Sequence, residues 1–420
     1  MKITVPRGTC DVLPVDSYKW SYIENTAREI ANRFNFREIR TPVFEHTELF
    51  IRGIGNSTDI VRKEMYTFDD KKGRSMTLRP EGTATVMRSV LENNLYLNVP
   101  TKLFYIGPFF RYERPQEGRY RQFHQFGLEA IGIDSPAIDA EIISSACTFF
   151  KTLGLKEIIV QLNSLGCPEC RPKYREALVS FFENHREELC QDCKERLSIN
   201  PLRVIDCKNP HCKQIALNAP VMLDFLCEDC KTHFEKLQKF LSIYSVDFNV
   251  NPKIVRGLDY YTRTVFEIVS NQLGAQDAIC GGGRYNGLAE EIGGKNLPAV
   301  GFAAGIERTI SLMTKAGCSF GNEPAPRVVV IPLDDSCEEY SASVLARLRN
   351  AKISSDMFYA KKNLKKIFKE ISTSETEYAF VIGADEIVSN KISVKCLKEK
   401  NQIDISIDDA VNFINDRGNC

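Results

Sequence analysis

The sequence lacks any run of about 18 apolar residues, which excludes a membrane-spanning helix. Its first ten residues carry no apolar segment leading to a small-residue cleavage site, so no secretory leader is expected and the cytoplasm is the expected compartment. Net charge is also missing. Lys+Arg and Asp+Glu both number 55, so no global positive field gathers nucleic acid, and any such contact has to come from a local patch. There is no Walker-type phosphate loop and no Gly-x-Gly-x-x-Gly in a βαβ setting, which argues against P-loop and Rossmann folds. A Ser/His/Asp or Cys/His nucleophile signature is absent as well, as are internal repeats and low-complexity tracts.

What is present is the balance of a globular protein, with 43% apolar and 26% charged residues. A chain of 420 residues is too long for one ordinary core, so two or three domains are expected. Trp20, Ile23, Ala27 and Ile30 recur at helical spacing and predict a helix over 18–34 capped by Asp16 or Ser17. Residues 36–44 read as extended, with Pro42 at an edge or strand end. The stretch 161–245 turns rich in Cys, Lys and Glu and looks inserted. Gly321, Asn322, Pro324 and Pro326 supply linker chemistry, after which strands at 328–333, 353–359 and 378–383 alternate with helices at 338–350 and 363–372. The resulting division is a core of 1–162 and 246–322, a Cys-rich insertion of 163–245, and a small α/β domain of 326–420.

Eight of the 15 cysteines lie in the insertion as four close pairs: Cys167/Cys170, Cys190/Cys193, Cys207/Cys212 and Cys227/Cys230. Three are Cys-x-x-Cys, the spacing that lets two thiolates grip one tetrahedral ion, and two pairs complete a closed structural zinc site. The pairs can be combined in three ways, with His211 a substitute ligand. Such a site is expected to stabilise the insertion without serving catalysis.

Residues 102–132 hold two aromatic-rich runs around the polar loop Arg114-Pro-Gln-Glu-Gly-Arg119, the pattern of a long antiparallel hairpin. Alternation puts Phe109, Arg111 and Glu113 on one face of the first strand. Arg121, Phe123, Gln125, Gly127 and Glu129 share a face of the second. Burying those polar groups unpartnered costs several kcal/mol, so the face makes sense as a ligand floor. Arg111 offers a fork of donors to a phosphate and Phe123 a ring on which a base stacks. Four further stretches combine glycine with charge or phenol: Arg79-Pro-Glu-Gly-Thr83, Arg256-Gly-Leu-Asp-Tyr-Tyr261, Gly281-Gly-Gly-Arg-Tyr285 and Gly301-Phe-Ala-Ala-Gly-Ile-Glu-Arg308.

Together these residues resemble the class II aminoacyl-tRNA synthetases: 36–44 is similar to their motif 1, the hairpin to motif 2 and 301–308 to motif 3. Within the class, 256–261, 79–83, 282–285 and Arg7-Gly-Thr-Cys-Asp11 resemble the signatures of histidyl-tRNA synthetases. The resemblance implies an α+β fold: an antiparallel-sheet catalytic core with helices, the inserted domain, and a C-terminal α/β anticodon-binding domain. It implies a homodimer that joins L-histidine to tRNA(His) with ATP and Mg2+. Arg111 and Arg256 are then the catalytic cations, and ATP is met by Arg111, Glu113, Phe123, Arg119 and Arg308. Glu81, Thr83, Gln125, Glu129, Tyr260 and Tyr261 meet histidine, and Gln116 meets tRNA. Lys361, Lys365 and Lys366 lie in a lysine-rich helix start, with Lys362 and Lys369, that suits a phosphate backbone. Two residues depart from the family pattern. Asn286 stands where Asp is common, and Glu117 stands in the motif 2 loop where a basic residue is common, facing acceptor-stem phosphate unfavourably. A non-catalytic regulatory paralogue on the same core is disfavoured, because such proteins lose the pocket arginines and the last domain.

Overall fold

A computed structural model describes residues 3–55, 58–98, 100–270, 278–359, 363–399 and 401–416. The chain forms two compact units, Met1–Phe320 and Gly321–Cys420. In the first, eight strands form one sheet in the order Arg37–Glu38, Thr101–Phe110, Gln122–Ile131, Ala299–Gly305, Ala278–Arg284, Thr262–Ser270, Ile158–Ser164, Phe248–Val250. Its two edge pairs are parallel and the rest antiparallel.

The hairpin has the register Thr101↔Ile131 through Phe110↔Gln122. Because side chains alternate, Phe104, Phe126, Leu128 and Ala130 enter one buried cluster while Leu103, Tyr105, Phe109 and Ile131 enter another. Helices Pro14–Arg33, Pro136–Thr152, Glu228–Ile243 and Ile306–Lys315 cover the first face. The second face carries the cleft.

The first helix starts at Pro14, earlier than expected. Leu13 is the N-cap, and neither Asp16 nor Ser17 caps the helix. Proline presets the helical φ at the first position, where its missing N–H costs nothing. The extended stretch 36–44 is likewise not one strand. Arg37–Glu38 joins the large sheet, and Phe44–His46 joins a three-stranded sheet with Ser75–Leu78 and Tyr66–Asp69. Pro42, which cannot donate to a ladder, stands between them.

Within the first unit the insertion builds short helices at Arg171–Asn184, Gln191–Ile199, Leu202–Ile205 and Pro210–Ala216 around a core of its own. That core has few large apolar side chains, among them Tyr174, Leu178, Phe182, Leu197 and Met222, and takes in the cysteines. In the second unit Val328–Pro332 lies parallel to Ser355–Met357 and Tyr378–Ile382, and Ile392–Cys396 and Asn401–Ile405 continue antiparallel. Helix Glu338–Asn350 has the expected bounds. Asn363 caps the next helix by accepting the Lys365 N–H (2.9 Å), so the helix begins at Leu364. Lys365, Lys366 and Lys369 are exposed on it, while Lys361 and Lys362 lie outside the described residues. Among the described residues no helix is long and apolar enough to cross a membrane.

Candidate active site

The floor of the cleft follows from sheet register. Across five strands the row Tyr105, Gly127, Ala303, Gly281, Glu267 has nothing bulky between its ends. The next row sets Leu103 against Glu129, Gly301, Gly283 and Val265. Small residues in the middle strands keep the floor low, and close approach requires all four glycines of these rows. A Cβ at Gly301 would stand 1.7 Å from Glu129 Oε2, and one at Gly281 would stand 2.3 Å from Arg256 Nη2. Over this floor lies a cleft of about 1010 Å³.

Cations line it from three directions. Arg111 leaves the end of the first hairpin strand, donates Nε to the Pro80 carbonyl (2.9 Å), and stands 5.3 Å from the Phe123 ring centre. The strand proper ends at Phe110, yet Arg111 still pairs with the Arg121 carbonyl (2.9 Å), which keeps its side chain over the floor. Arg308 rises from the first turn of helix Ile306–Lys315 and bonds the carbonyls of Ala278 (2.7 Å) and Gly118 (3.3 Å). Arg256 is pressed against Glu267, with its buried Nε lacking a protein partner. The Glu267 carboxylate, with the nearby phenols, holds Arg256 firmly in its charged form in spite of burial.

At the other end are the groups suited to an amino acid. Glu81 is buried and accepts the N–H groups of Thr83 (2.7 Å) and Ala84 (2.8 Å), fixing the start of helix Thr83–Glu92, and the Tyr260 hydroxyl lies 3.3 Å away. Burial raises its pKa. The turn is anchored by Arg79, which donates to the carbonyls of Thr41 (2.9 Å) and Pro108 (2.9 Å). Gln125, whose buried Oε1 has no protein donor, lines the cleft together with Tyr260 and Tyr261.

Of the expected pocket residues Glu81, Thr83, Arg111, Glu113, Arg119, Phe123, Gln125, Arg256, Tyr260, Tyr261 and Arg308 all line this one cleft. Glu129 lies one layer beneath it, wholly buried, taking the Thr83 hydroxyl (2.7 Å) on one oxygen and the Tyr285 hydroxyl on the other. Burial pushes its carboxyl up to about 8, against the pull of those two hydroxyls. Gln116 sits in the exposed hairpin loop, where its backbone pairs with Arg119. Glu117 binds Lys315 (2.6 Å) and Ser311 (2.9 Å), which lower its pKa, so its charge is taken up by the neighbouring helix. Asn286 donates to Asp134 (3.2 Å) and accepts the Ala299 N–H (3.1 Å).

Three carboxylates escaped the reading of the sequence. Glu267 pairs Arg256, and Glu307 takes the His124 N–H (2.9 Å), locking the third motif to the second. Glu64 faces the cleft, its pKa raised first by burial and then by Glu113. Glu267 had a signal, since it is a lone carboxylate inside the otherwise apolar run Val265–Phe266–Glu267–Ile268–Val269. Tyr285 had one too, ending a glycine-rich motif whose arginine proves structural: Arg284 is fully buried on Asp139 (2.6 Å).

The cysteine pairing is now fixed. Cys167, Cys170, Cys227 and Cys230 converge with their sulfurs all within 4.8 Å of one another, and so do Cys190, Cys193, Cys207 and Cys212. His211 is not needed, lying exposed near Glu188 (3.7 Å). Both groups could hold a metal ion.

The sheet with its three arginines over a glycine floor is the catalytic fold of a class II aminoacyl-tRNA synthetase. The family profile for histidyl-tRNA synthetase matches residues 8–169 and 215–309, and that of an anticodon binding domain matches 327–417. A histidine–tRNA ligase from Halothermothrix orenii is 50% identical, covering 97% of this chain and 97% of the relative. Another from Bacillus licheniformis is 49% identical over 99% of each. The crystal structure of apo S. aureus histidyl-tRNA synthetase superposes with a TM-score of 0.82 at 38% identity, covering 98% of this chain and 99% of that one. The chain belongs to the histidyl-tRNA synthetase family.

Proposed function

We propose that the cleft activates L-histidine with ATP and passes the histidyl group to tRNA(His), releasing pyrophosphate and then AMP. The observation that carries this reading is the convergence of Arg111, Arg256 and Arg308 with the Glu81–Tyr260–Tyr261 group around one glycine floor. Phe123 receives the adenine ring, with Glu113 and Arg119 beside it, and Arg308 receives the outer phosphates. Class II synthetases use ATP with Mg2+, and the metal enters as part of the nucleotide substrate.

Histidine's α-amino group, a cation, is received by Glu81 with Thr83 and Gln125. Its imidazole lies toward Tyr260 and Tyr261 and displaces the Thr83 hydroxyl from Glu129, which accepts the ring N–H. An analogue without that N–H offers Glu129 nothing in exchange for the Thr83 hydroxyl, which discriminates against it. The histidine carboxylate then attacks the α-phosphorus in line. Arg111 and Arg256 neutralise the charge that builds there, and no covalent enzyme intermediate forms. In the second step a terminal ribose hydroxyl of tRNA attacks the adenylate carbonyl and AMP departs.

The domain assignment follows the same reading: catalytic core 1–162 and 246–322, insertion 163–245, anticodon-binding domain 326–420. Gln116 and the lysines 361, 365 and 366 are assigned to tRNA. A homodimer is supported by Val43, Phe44 and Phe68, large apolar side chains left exposed at the three-stranded sheet. The cytoplasm, where translation runs, is the proposed compartment. Each Cys₄ group is assigned one structural Zn2+. A tetrahedron with Zn–S bonds of about 2.3 Å has sulfur–sulfur edges of about 3.8 Å. The structure has Cys167–Cys170 at 3.6 Å, Cys167–Cys227 at 3.8 Å and Cys190–Cys207 at 3.8 Å. The test of the whole reading is charging of a tRNA(His) transcript with labelled histidine and ATP. Charging that is abolished by Arg111→Ala supports it, and absence of charging by the wild type contradicts it.

A further inference from the structure

The stretch 256–261 carries Arg256, Tyr260 and Tyr261 into the cleft, so its position sets both the reacting cation and the histidine end of the pocket. Its sheet side is packed, with Tyr260 and Tyr261 buried in the second core cluster and Leu258 against it, but its other side is not. Behind it lies a second cavity of about 230 Å³, lined on one side by Leu258, Asp259 and Tyr261 and on the other by Tyr174, Leu202 and Met222 of the insertion. The core holds the stretch by the Asp259 N–H on the Ile54 carbonyl (3.1 Å) and by the Tyr260 hydroxyl on Glu81 (3.3 Å), and on the cavity side it is held by polar tethers from the insertion.

The two ends are gripped separately. Arg203 donates Nη1 to the carbonyl of Arg256 (3.1 Å), and Arg171 donates Nη2 to the carbonyl of Tyr261. Between them Asn200 donates to the Asp259 carboxylate (3.1 Å). Each tether leaves from beside a cysteine group. Arg171 follows Cys170 directly and opens helix Arg171–Asn184. Just before the same group, the backbones of 165–166 and Arg263 exchange two hydrogen bonds, Leu165 N–H to the Arg263 carbonyl (2.7 Å) and Arg263 N–H to the Gly166 carbonyl (2.8 Å). Asn200 and Arg203 lie between Cys193 and Cys207, on the segment that the other four cysteines close into a loop. Arg196, on the same segment, reaches Asp59 on the cleft wall (3.2 Å). Cys190 and Cys207 are themselves part of that wall.

We propose that the two Cys₄ groups act as a paired brace: metal at Cys167/170/227/230 fixes the Tyr261 end of the stretch, and metal at Cys190/193/207/212 fixes the Arg256 end. This rests on the zinc assignment above. The physical argument is that a guanidinium aimed at a backbone carbonyl positions that carbonyl only as well as its own helix is held. The helices that carry Asn200 and Arg203 are too short to hold themselves, being nine residues at Gln191–Ile199 and four at Leu202–Ile205, and Arg171 is the first residue of its own helix, next to Cys170. A closed tetrahedral site supplements the small apolar core at each tether's root. Arg171, Asn200 and Arg203 are therefore positioning residues, and metal loss is felt in the histidine pocket before it is felt at adenine, which rests on the hairpin and on Arg308.

The experiment measures zinc per chain by mass spectrometry on the full-length protein purified without chelator, with pyrophosphate-exchange KM values for histidine and for ATP. Four variants accompany the wild type: Arg171→Ala, Arg203→Ala, Cys212→Ser and Cys227→Ser. Two zinc ions are expected in the wild type and in both arginine variants, and one in each cysteine variant. In all four the histidine KM is expected to rise at least about tenfold while the ATP KM stays within about twofold, a split that general loosening of the fold would not produce. If a cysteine variant does not fold, the arginine variants, which keep their metal, carry the test. Metal-free wild-type protein overturns the zinc assignment and the brace with it. Zinc-loaded Arg171→Ala and Arg203→Ala with an unchanged histidine KM overturn the brace alone and leave the zinc assignment standing.

Discussion

In the catalytic sheet, Glu129 and Gly301 are register partners, and the glycine leaves the space that the carboxylate fills. In the insertion, Cys190 and Cys207 meet 3.8 Å apart from loop ends with no ladder between them. The sheet holds its polar groups through long-range strand pairing and two apolar clusters on its faces. The insertion has one small cluster, and eight of the 24 residues in it or packed against it are cysteines. One region is positioned by burial and backbone hydrogen bonds and tolerates charge through pairs such as Arg256–Glu267 and Arg284–Asp139. The other draws its order from ligands that converge on points. The two regions meet at 256–261, where the rigid sheet depends on the less self-sufficient insertion.

That contrast makes predictions of decreasing size. The largest effect belongs to the sheet: Arg256→Ala is expected to slow adenylate formation at least about 10²-fold, the usual loss for one preorganised donor, with the fold intact by circular dichroism. A rate within threefold of wild type removes Arg256 from the mechanism. Chelation comes next and probes the insertion. Stripping metal should open residues 163–245 to limited proteolysis while 326–420 keeps its protease resistance. The sequence alone led us to expect that pyrophosphate exchange would largely persist on chelation. The tethers from Arg171 and Arg203 revise this, and exchange at low histidine is expected to fall while exchange at saturating histidine largely recovers.

A third prediction concerns pH. Glu129 is held at about 8 when folded, above the 4.5 of an ordinary glutamate. Below 4.5 both states hold the proton, and between 4.5 and 8 only the folded one does, so raising pH through that window favours unfolding of the free protein. Glu129→Gln should therefore show a smaller drop in Tm than wild type between pH 5 and pH 8. Equal drops would mean that the carboxyl ionises normally. The smallest effect is in the second unit: replacing Lys365, Lys366 and Lys369 with Gln should raise the KM for tRNA severalfold and leave exchange unchanged. An unaltered tRNA KM removes that face from the interface.

Much of the cleft was legible because its groups sit on strands, where alternation by twos is rigid. Phe123, Gln125 and Glu129 share a face in the sequence and in the sheet. Helix Glu338–Asn350 was legible for the same kind of reason, since its period is local. What could not be read was anything decided by a partner distant in sequence. The Arg256–Glu267 pair depends on how a loop folds back over a strand, and the Glu117–Lys315 pair on how a loop lies over a helix. The depth of Glu129 is of this kind as well, because Thr83 and Tyr285 cover it from segments 46 and 156 residues away. Cysteine pairing was undetermined by spacing and is determined by how four helix ends pack. The early start at Pro14 was missed because hydrophobic period marks the buried turns of a helix and is silent about its exposed first turn.

The central claim is that this cleft recognises histidine and joins it to adenylate. ATP–pyrophosphate exchange, run on the wild-type protein with each of the 20 amino acids in turn, tests it most directly. The account predicts exchange with histidine alone, lost in Arg256→Ala. Exchange driven by threonine, proline or glycine, or none with histidine, would contradict it.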